Sequence, residues 1–244
     1  MNAQPVNEKG IKEADTDERS PTLAYLAVSL CIFGFTVILS IFPTASFRLY
    51  FGGIPSLLAV PMLILLGFGC VKLIVSRGWF RIYDRENLRN LPKLSIVAIL
   101  FLSGAIFLDV TFPYPVDINL PFPKSILFYP IMGYVVEILF HLVPLTLLLG
   151  VLVKVLKKAD REKIIFACIL IVSLIEPIYQ YLMVPTIGHP IWVEAFDGGR
   201  LFLFSLVQLN ILKRYDFISM YSFRLVYYML WHILWGSLRL LILF

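Results

Sequence analysis

Charged residues are scarce in this chain: 15% of its 244 residues are Asp, Glu, Lys or Arg, whereas 59% are hydrophobic. Soluble domains have about 25% charged residues, so a chain with this composition lacks the side chains that a water-soluble surface needs. No segment between the long apolar runs is large enough to bury a core of its own. These deficits argue against a soluble enzyme and indicate a protein whose main partner is the lipid bilayer.

Several familiar sequence motifs are also absent. The three cysteines are widely spaced and form no CxxC, which argues against a disulfide framework or a zinc site. Neither an HExxH sequence nor an internal repeat occurs. The net charge of +5 is better explained by basic cytoplasmic loops than by nucleic-acid binding. We expect no cofactor and no nucleic-acid partner, and the sequence leaves a requirement for metal open.

Seven apolar stretches predict seven membrane-spanning helices. The polar segment 1–21 precedes them and predicts a disordered cytoplasmic tail, which leaves 22–244 as one membrane domain. The sixth stretch has about 15 residues where about 17–25 are usual, so its helix begins earlier, tilts, or ends inside the bundle. The predicted spans are 22–42, 54–76, 94–112, 126–153, 164–184, 198–212 and 217–243.

Lysine and arginine counts alternate along the segments that connect the spans. From the N-terminal tail to the last loop they are 3, 1, 5, 1, 5, 1 and 2, where the single residue of the fifth loop is Arg200, close to the start of the sixth span. Because cytoplasmic loops are rich in these residues, the N-terminus is predicted in the cytoplasm and the C-terminus outside. The fold class is therefore all-α, a polytopic transmembrane helix bundle of about seven spans in the cell membrane. The proline-rich segment 112–124 is expected to cap its outer face.

Four polar side chains within the spans are predicted to lie in one layer. Counting about 1.5 Å per residue from the outer helix ends places them roughly 12–17 Å deep. They are Glu137, Glu176, Gln208 and His232. Since buried polar groups need partners, the polar faces of these helices are expected to face one another.

Further polar residues accompany this layer. His141 follows Glu137 by four residues, so the two share a helix face. On the last span, Arg224 is predicted either to pair with a glutamate of the layer or to extend towards the membrane surface. Tyr228 is a packing residue or a supporting residue of the site. The third histidine, His189, is expected to be a solvent-exposed loop residue. Other polar positions in the spans are Ser173, Gln180, Ser205, Asn210 and Arg239.

The residue types in this layer suit several kinds of chemistry. A glutamate and two histidines can activate water as a general base. The same side chains bind metal ions in other proteins and carry protons in transporters. A purely structural role is the alternative, in which Glu137 forms hydrogen bonds to His141 or Gln208 and holds the helices together.

Three segments in the second half of the chain resemble the motifs of the CAAX-processing and bacteriocin-processing (CPBP, or Abi) intramembrane proteases. The segment 136–141, Val-Glu-Ile-Leu-Phe-His, is similar to the first motif, Glu-Glu-x-x-x-Arg. The spacing from Phe204 to Gln208 is that of the second motif, Phe-x-x-x-His. The spacing from His232 to Gly236 is that of the third motif, His-x-x-x-Asn/Asp. The resemblance covers about residues 126–243.

The resemblance implies a multi-span endopeptidase that cleaves a membrane-associated peptide or protein. Glu137 would activate water, His232 would help to form the oxyanion site, and Gln208 would donate a hydrogen bond. His141, if protonated, would supply part of the charge of the missing arginine. The chain departs from the motifs at Val136, His141, Gln208 and Gly236. A non-catalytic binding or immunity-type protein is therefore the first alternative. A proton-coupled transporter that uses Glu137, Glu176 and His232 is the second.

Overall fold

The computed structural model describes residues 8–41, 51, 53–183 and 190–244. Every regular element among these residues is a helix. We label the long helices α1 to α7 in chain order. They span Glu8–Ile41, Ser56–Ser76, Leu91–Thr111, Lys124–Val155, Arg161–Met183, Ile191–Arg214 and Phe217–Ile242. The helix α1 begins inside the polar segment 1–21, whose disordered state stays a prediction.

Within the described residues, six helices are long and apolar enough to cross a membrane. They correspond to six of the seven predicted spans, and their ends lie within a few residues of the predicted ones, except that the third begins at Arg85 rather than at 94. The chain is therefore a multi-pass membrane protein with an all-α helical bundle. The orientation derived from the Lys and Arg counts stays a prediction.

The helix α6 is longer than the sixth apolar stretch, in agreement with the first of the three alternatives, an earlier start. It begins at Ile191 rather than at 198 and has 24 residues, which gives a length of about 36 Å. The polar residues Asp197 and Arg200 lie inside it, and Arg200 Nε donates to Asp197 Oδ1 at 3.0 Å. A charged residue lowers the local mean hydropathy, so a span predicted from hydropathy ends at such a residue. Because the two charges satisfy each other, the helix continues through them.

Two aspartates fix the starts of helices at the predicted cytoplasmic side. Asp216 caps α7 by accepting a hydrogen bond from the backbone N–H of Ser219 at 2.6 Å. Its other oxygen accepts from Asn87 Nδ2 at 2.7 Å and so attaches the loop before α3 to α7. Asp160 caps α5 in the same way, through the backbone N–H of Glu162.

The helices α4 and α7 each contain a widened π-helical turn. In α4 this turn covers Glu137–Leu142, and in α7 it covers Met229–Trp235. Pro144 explains the first, because it has no N–H to offer the carbonyl of the residue four positions before it. Such turns are frequent at functional sites. The turn in α4 contains Glu137 and His141, and the turn in α7 contains His232.

The helices α4 and α7 run antiparallel and contact each other through their polar faces. Glu137 on α4 contacts Arg224 on α7. Two turns away, the ring of Tyr129 stacks on the ring of His232, with centroids 4.1 Å apart and planes at 9°. Gly133 lies between these contacts and is packed against Arg224 and Tyr228. The polar faces of these two helices therefore face each other, as the sequence predicts.

Candidate functional site

The guanidinium of Arg224 lies at the centre of a buried polar cluster that joins four helices. It donates from Nε to Glu137 Oε1 at 2.6 Å, and from Nη1 and Nη2 to the two oxygens of Glu176 at 2.9 and 2.7 Å. It also donates to Gln208 Oε1 at 2.6 Å and to Tyr228 Oη at 3.1 Å. These bonds use all five N–H groups of an arginine. Arg224 is 1% exposed and so does not extend to the membrane surface.

Glu137 is fully buried, and both of its carboxylate oxygens are occupied. Its Oε1 accepts hydrogen bonds from Arg224 and from Gln208 Nε2. Its Oε2 is 2.7 Å from His141 Nδ1 on the same helix. A carboxylate accepts hydrogen bonds only, so the ionised Glu137 requires a proton on His141 Nδ1. This bond fixes the orientation of the ring.

His141 lies between two carboxylates. Its second nitrogen, Nε2, is buried and has no hydrogen-bond partner in the structure. This atom lies 3.7 Å from Glu176 Oε2, too far for a good hydrogen bond but close enough for a strong electrostatic interaction. Among the described side chains of the Arg224 cluster, His141 Nε2 is the buried polar atom without a hydrogen-bond partner, so it can accept a hydrogen bond from another molecule without breaking an existing bond.

Glu176 reaches the cluster because α5 is interrupted beside it. Regular helix stops at Ser173 and resumes at Ile175, so Glu176 lies in the first turn of the second part. The positive end of the helix dipole favours a carboxylate there. Its Oε2 also accepts a hydrogen bond from Ser205 Oγ of α6 at 3.1 Å. Ser205 is one of the polar residues of the spans for which the sequence predicts no role.

This cluster holds two carboxylates for one guanidinium, and the His141 imidazole adds a positive charge only when it is protonated. Two carboxylates face one guanidinium and one imidazole, and each carboxylate has a direct contact with Arg224. Burial of such groups is costly, and their mutual attraction offsets the cost only when the hydrogen bonds are complete. Loss of one partner from such a pair typically costs about 3–5 kcal/mol, because the other charge stays buried.

His232 lies beside this cluster rather than within it. Its Nδ1 is 2.7 Å from Asn119 Oδ1 in the loop that precedes α4, and its ring stacks on Tyr129. The ring of Tyr228 packs edge-on against His232 at 4.8 Å, and the Tyr228 hydroxyl accepts from Arg224. Tyr228 therefore connects the two groups, while Glu137 and His232 make no direct hydrogen bond.

The other polar residues of the spans lie elsewhere. Asn210 is exposed and donates to the Leu206 carbonyl of its own helix, and Ser173 donates to the Ile169 carbonyl. Gln180 is half-buried. The predicted loop residue His189 lies outside the described residues.

A second buried ion pair was missed by the sequence analysis. Arg239 donates from Nε and Nη2 to the two oxygens of Asp109 at 2.7 and 2.8 Å, and both residues are fully buried. Trp235 Nε1 also donates to Asp109 at 2.7 Å. Asp109 lies near the end of its span. The signal was present, because a lone acid in one span and a second arginine in another suggest a pair.

The Asp109–Arg239 pair holds the segment 112–123 in place. Arg239 donates to the backbone carbonyls of Tyr114 and Pro115 at 2.6 and 3.0 Å. The backbone N–H of Tyr114 donates to Asp109. Burial in this loop raises the pKa of the Tyr114 phenol. The segment contains only a short 3₁₀ turn, Val116–Ile118, in agreement with its four prolines.

No group of three or more His, Cys, Asp or Glu side chains within the described residues is arranged to hold a metal ion. Comparison with known proteins found no matching family model, curated protein or solved structure. The case for function therefore depends on the geometry of the site.

Proposed function

We propose that this chain is an intramembrane endopeptidase of the cell membrane, similar to the CPBP proteases, that hydrolyses a peptide bond of a membrane-associated substrate. One observation carries the proposal. Glu137 holds His141 through Nδ1, and His141 Nε2 is a buried nitrogen without a partner. A carboxylate that orients an imidazole, with the second nitrogen free, is the arrangement in which a histidine acts as a general base.

The chemical steps follow from this arrangement. His141 Nε2 takes a proton from water, and the hydroxide adds to the carbonyl carbon of the peptide. Glu137 and Glu176 stabilise the imidazolium that forms, since their oxygens lie 2.7 and 3.7 Å from its two nitrogens. The imidazolium then gives its proton to the leaving nitrogen as the C–N bond breaks. Glu137 thus acts on water through His141.

The groups around Glu137 support the resemblance. At positions 136 and 141 the chain lacks the first glutamate and the arginine of the first motif. The cluster nevertheless contains a second carboxylate, from Glu176 on α5, and a guanidinium, from Arg224 on α7. Gln208, at the histidine position of the second motif, donates to Glu137. The same chemical groups surround Glu137, although other helices supply two of them.

A second candidate function is non-catalytic binding to a membrane partner, or an immunity-type role. The complete use of the Arg224 donors and the full burial of Glu137 favour it, because a closed ion cluster stabilises a bundle without any reaction. Hydrolysis requires that water and substrate reach His141 Nε2, so α4 must separate from α5 or α7 during turnover.

The test compares the membrane and secreted peptides of cells that carry wild type, Glu137→Gln or no copy, at equal membrane levels. The matched control is Glu86→Gln, the same substitution at an exposed residue before α3. We expect a processed product with wild type and Glu86→Gln, and none with Glu137→Gln. The same product at wild-type levels with Glu137→Gln would overturn the proposal.

A further inference from the structure

Gly236 on α7 leaves room for a side chain from the loop before α4. A Cβ atom at this position would lie 2.9 Å from Asn119 Nδ2 and 3.2 Å from both Asn119 Cβ and Cγ. Contacts this short force a neighbour to move, so Asn119 can occupy its place only because position 236 is glycine. Position 236 follows His232 by four residues and lies on the same face of the helix.

The orientation of the Asn119 amide is set by two donors. Its Oδ1 faces His232 Nδ1 at 2.7 Å and accepts from the Tyr129 hydroxyl at 3.3 Å. An amide oxygen only accepts, so the proton lies on His232 Nδ1 and a neutral ring carries its lone pair on Nε2. The Asn119 Nδ2 points away from these partners. It is buried and has no hydrogen-bond partner in the structure.

The backbone around Asn119 is held from both sides. The Tyr129 hydroxyl accepts from the backbone N–H of Leu120 at 2.9 Å. On the other side, Arg239 binds the carbonyls of Tyr114 and Pro115. The position of Asn119 is therefore set by α4 and α7. Its buried Nδ2 lacks an acceptor, which lowers the stability of the folded protein, and the contacts on both sides of the loop hold it there.

We infer that Asn119 belongs to the His232 site: its Oδ1 holds the ring in the Nδ1-protonated form, and its Nδ2 donates to an oxygen atom of the bound substrate. The second half of this inference depends on the proposed function. It changes the role that the resemblance gives to His232, because a neutral ring with its proton on Nδ1 offers an acceptor, not a donor, at Nε2. The donor at this site is the loop amide.

The positioning role is tested without any reaction. The chain has three histidines, so ¹⁵N spectra of histidine-labelled protein in detergent micelles are simple, and His232→Gln identifies the His232 signals. We expect the Nδ1-protonated form in wild type and in Asn119→Asp, which keeps the acceptor, and a mixture of forms in Asn119→Ala. An unchanged His232 signal in Asn119→Ala would overturn the positioning role.

The donor role is tested on the product that wild type forms and Glu137→Gln does not. Asn119→Asp removes the donor and keeps the acceptor, so we expect product formation to fall at least about tenfold, because a substrate that is held less firmly at the loop is misplaced at His141. Wild-type product formation by folded Asn119→Asp would overturn the donor role. Wild-type product formation by Asn119→Asp is also what a purely structural role of Asn119 predicts. If the proposed function itself is wrong, Glu137→Gln forms the product as well, so the two failures are distinguishable.

A transplanted amide gives a further test of both roles. Gly236→Asn alone collides with Asn119, and Asn119→Gly alone removes the amide, so we expect each to lose at least about tenfold in product. The double variant moves the amide to the helix position four residues after His232. The double variant should recover part of the lost product formation, and its ¹⁵N spectrum should again show His232 protonated on Nδ1. A double variant no better than either single variant would contradict the shared position of the two side chains.

Discussion

Arg224 and Glu137 lie on two antiparallel helices, and the Nε of Arg224 donates to the Oε1 of Glu137 at 2.6 Å in the interior of a membrane protein. The bond connects α7 to α4 where the π-helical turn of α4 begins. It also brings Glu176, which binds the other side of the guanidinium, close to His141. One arginine therefore positions both carboxylates that face the imidazole.

Replacement of Arg224 by methionine should destabilise the protein strongly. It leaves two buried carboxylates without their cation, and we expect a loss of about 3–5 kcal/mol in the free energy of unfolding. Arg224→Lys should rescue little, because three donors cannot replace five in this geometry. Thermal unfolding in detergent micelles measures the effect, with the exposed Arg85→Met as control. Unfolding of Arg224→Met at the wild-type temperature would show that the cluster contributes little to stability.

The Asp109–Arg239 pair should behave as a coupled unit. Asp109→Leu or Arg239→Met alone leaves one buried charge, so each should destabilise by about 3–5 kcal/mol. The double variant removes both charges and should be more stable than either single variant. The measurement is a double-mutant cycle of unfolding, with limited proteolysis of 112–123 as a second readout. Additive losses would contradict direct coupling of the two side chains.

Gly133 should tolerate a small side chain and reject a large one. A Cβ atom there meets Tyr228, Arg224 and Tyr221 at 3.6–3.7 Å, which is ordinary van der Waals contact. Gly133→Ala should therefore fold and remain active, whereas Gly133→Leu should push α4 away from α7 and lower the yield of folded protein. Size-exclusion profiles and unfolding temperatures distinguish the two. Equal behaviour of both variants would be inconsistent with the tight contact of these helices.

Most of the fold could be predicted from the sequence, because apolar runs and basic loops report directly on spans. The start of α6 could not, since hydropathy does not register that Arg200 satisfies Asp197 one turn earlier. Counting depth along each helix predicts one layer of four residues. Three of them, Glu137, Glu176 and Gln208, meet at Arg224, whereas His232 lies beside this cluster. Their common partner Arg224 was one of two alternatives, because counting residues gives depth but not rotation between helices.

The partner of His232 was beyond sequence analysis. Asn119 lies in a loop 113 positions earlier in the chain, and no periodicity connects a loop residue with a helix face. Gly236 was noted only as a departure from the third motif. Its meaning depends on the side chain that fills the space, which only the three-dimensional arrangement reveals.

The predicted orientation has its own test. Single cysteines at exposed Lys157, in a basic loop, and at exposed Asp117, in the loop before α4, should react with a membrane-impermeant thiol reagent from opposite sides. In intact cells we expect labelling at position 117 and none at 157 until the membrane is opened. The reverse pattern would place the N-terminus outside.

The most direct test of the central claim follows oxygen from water into the product. Purified wild type and Glu137→Gln, both folded in micelles, are incubated in ¹⁸O-labelled water with membranes from cells that lack the chain. We predict peptides whose new carboxyl group contains ¹⁸O with wild type only, because His141, oriented by Glu137, activates that water. Labelled peptides at equal rates with Glu137→Gln, or none with wild type, would contradict the account.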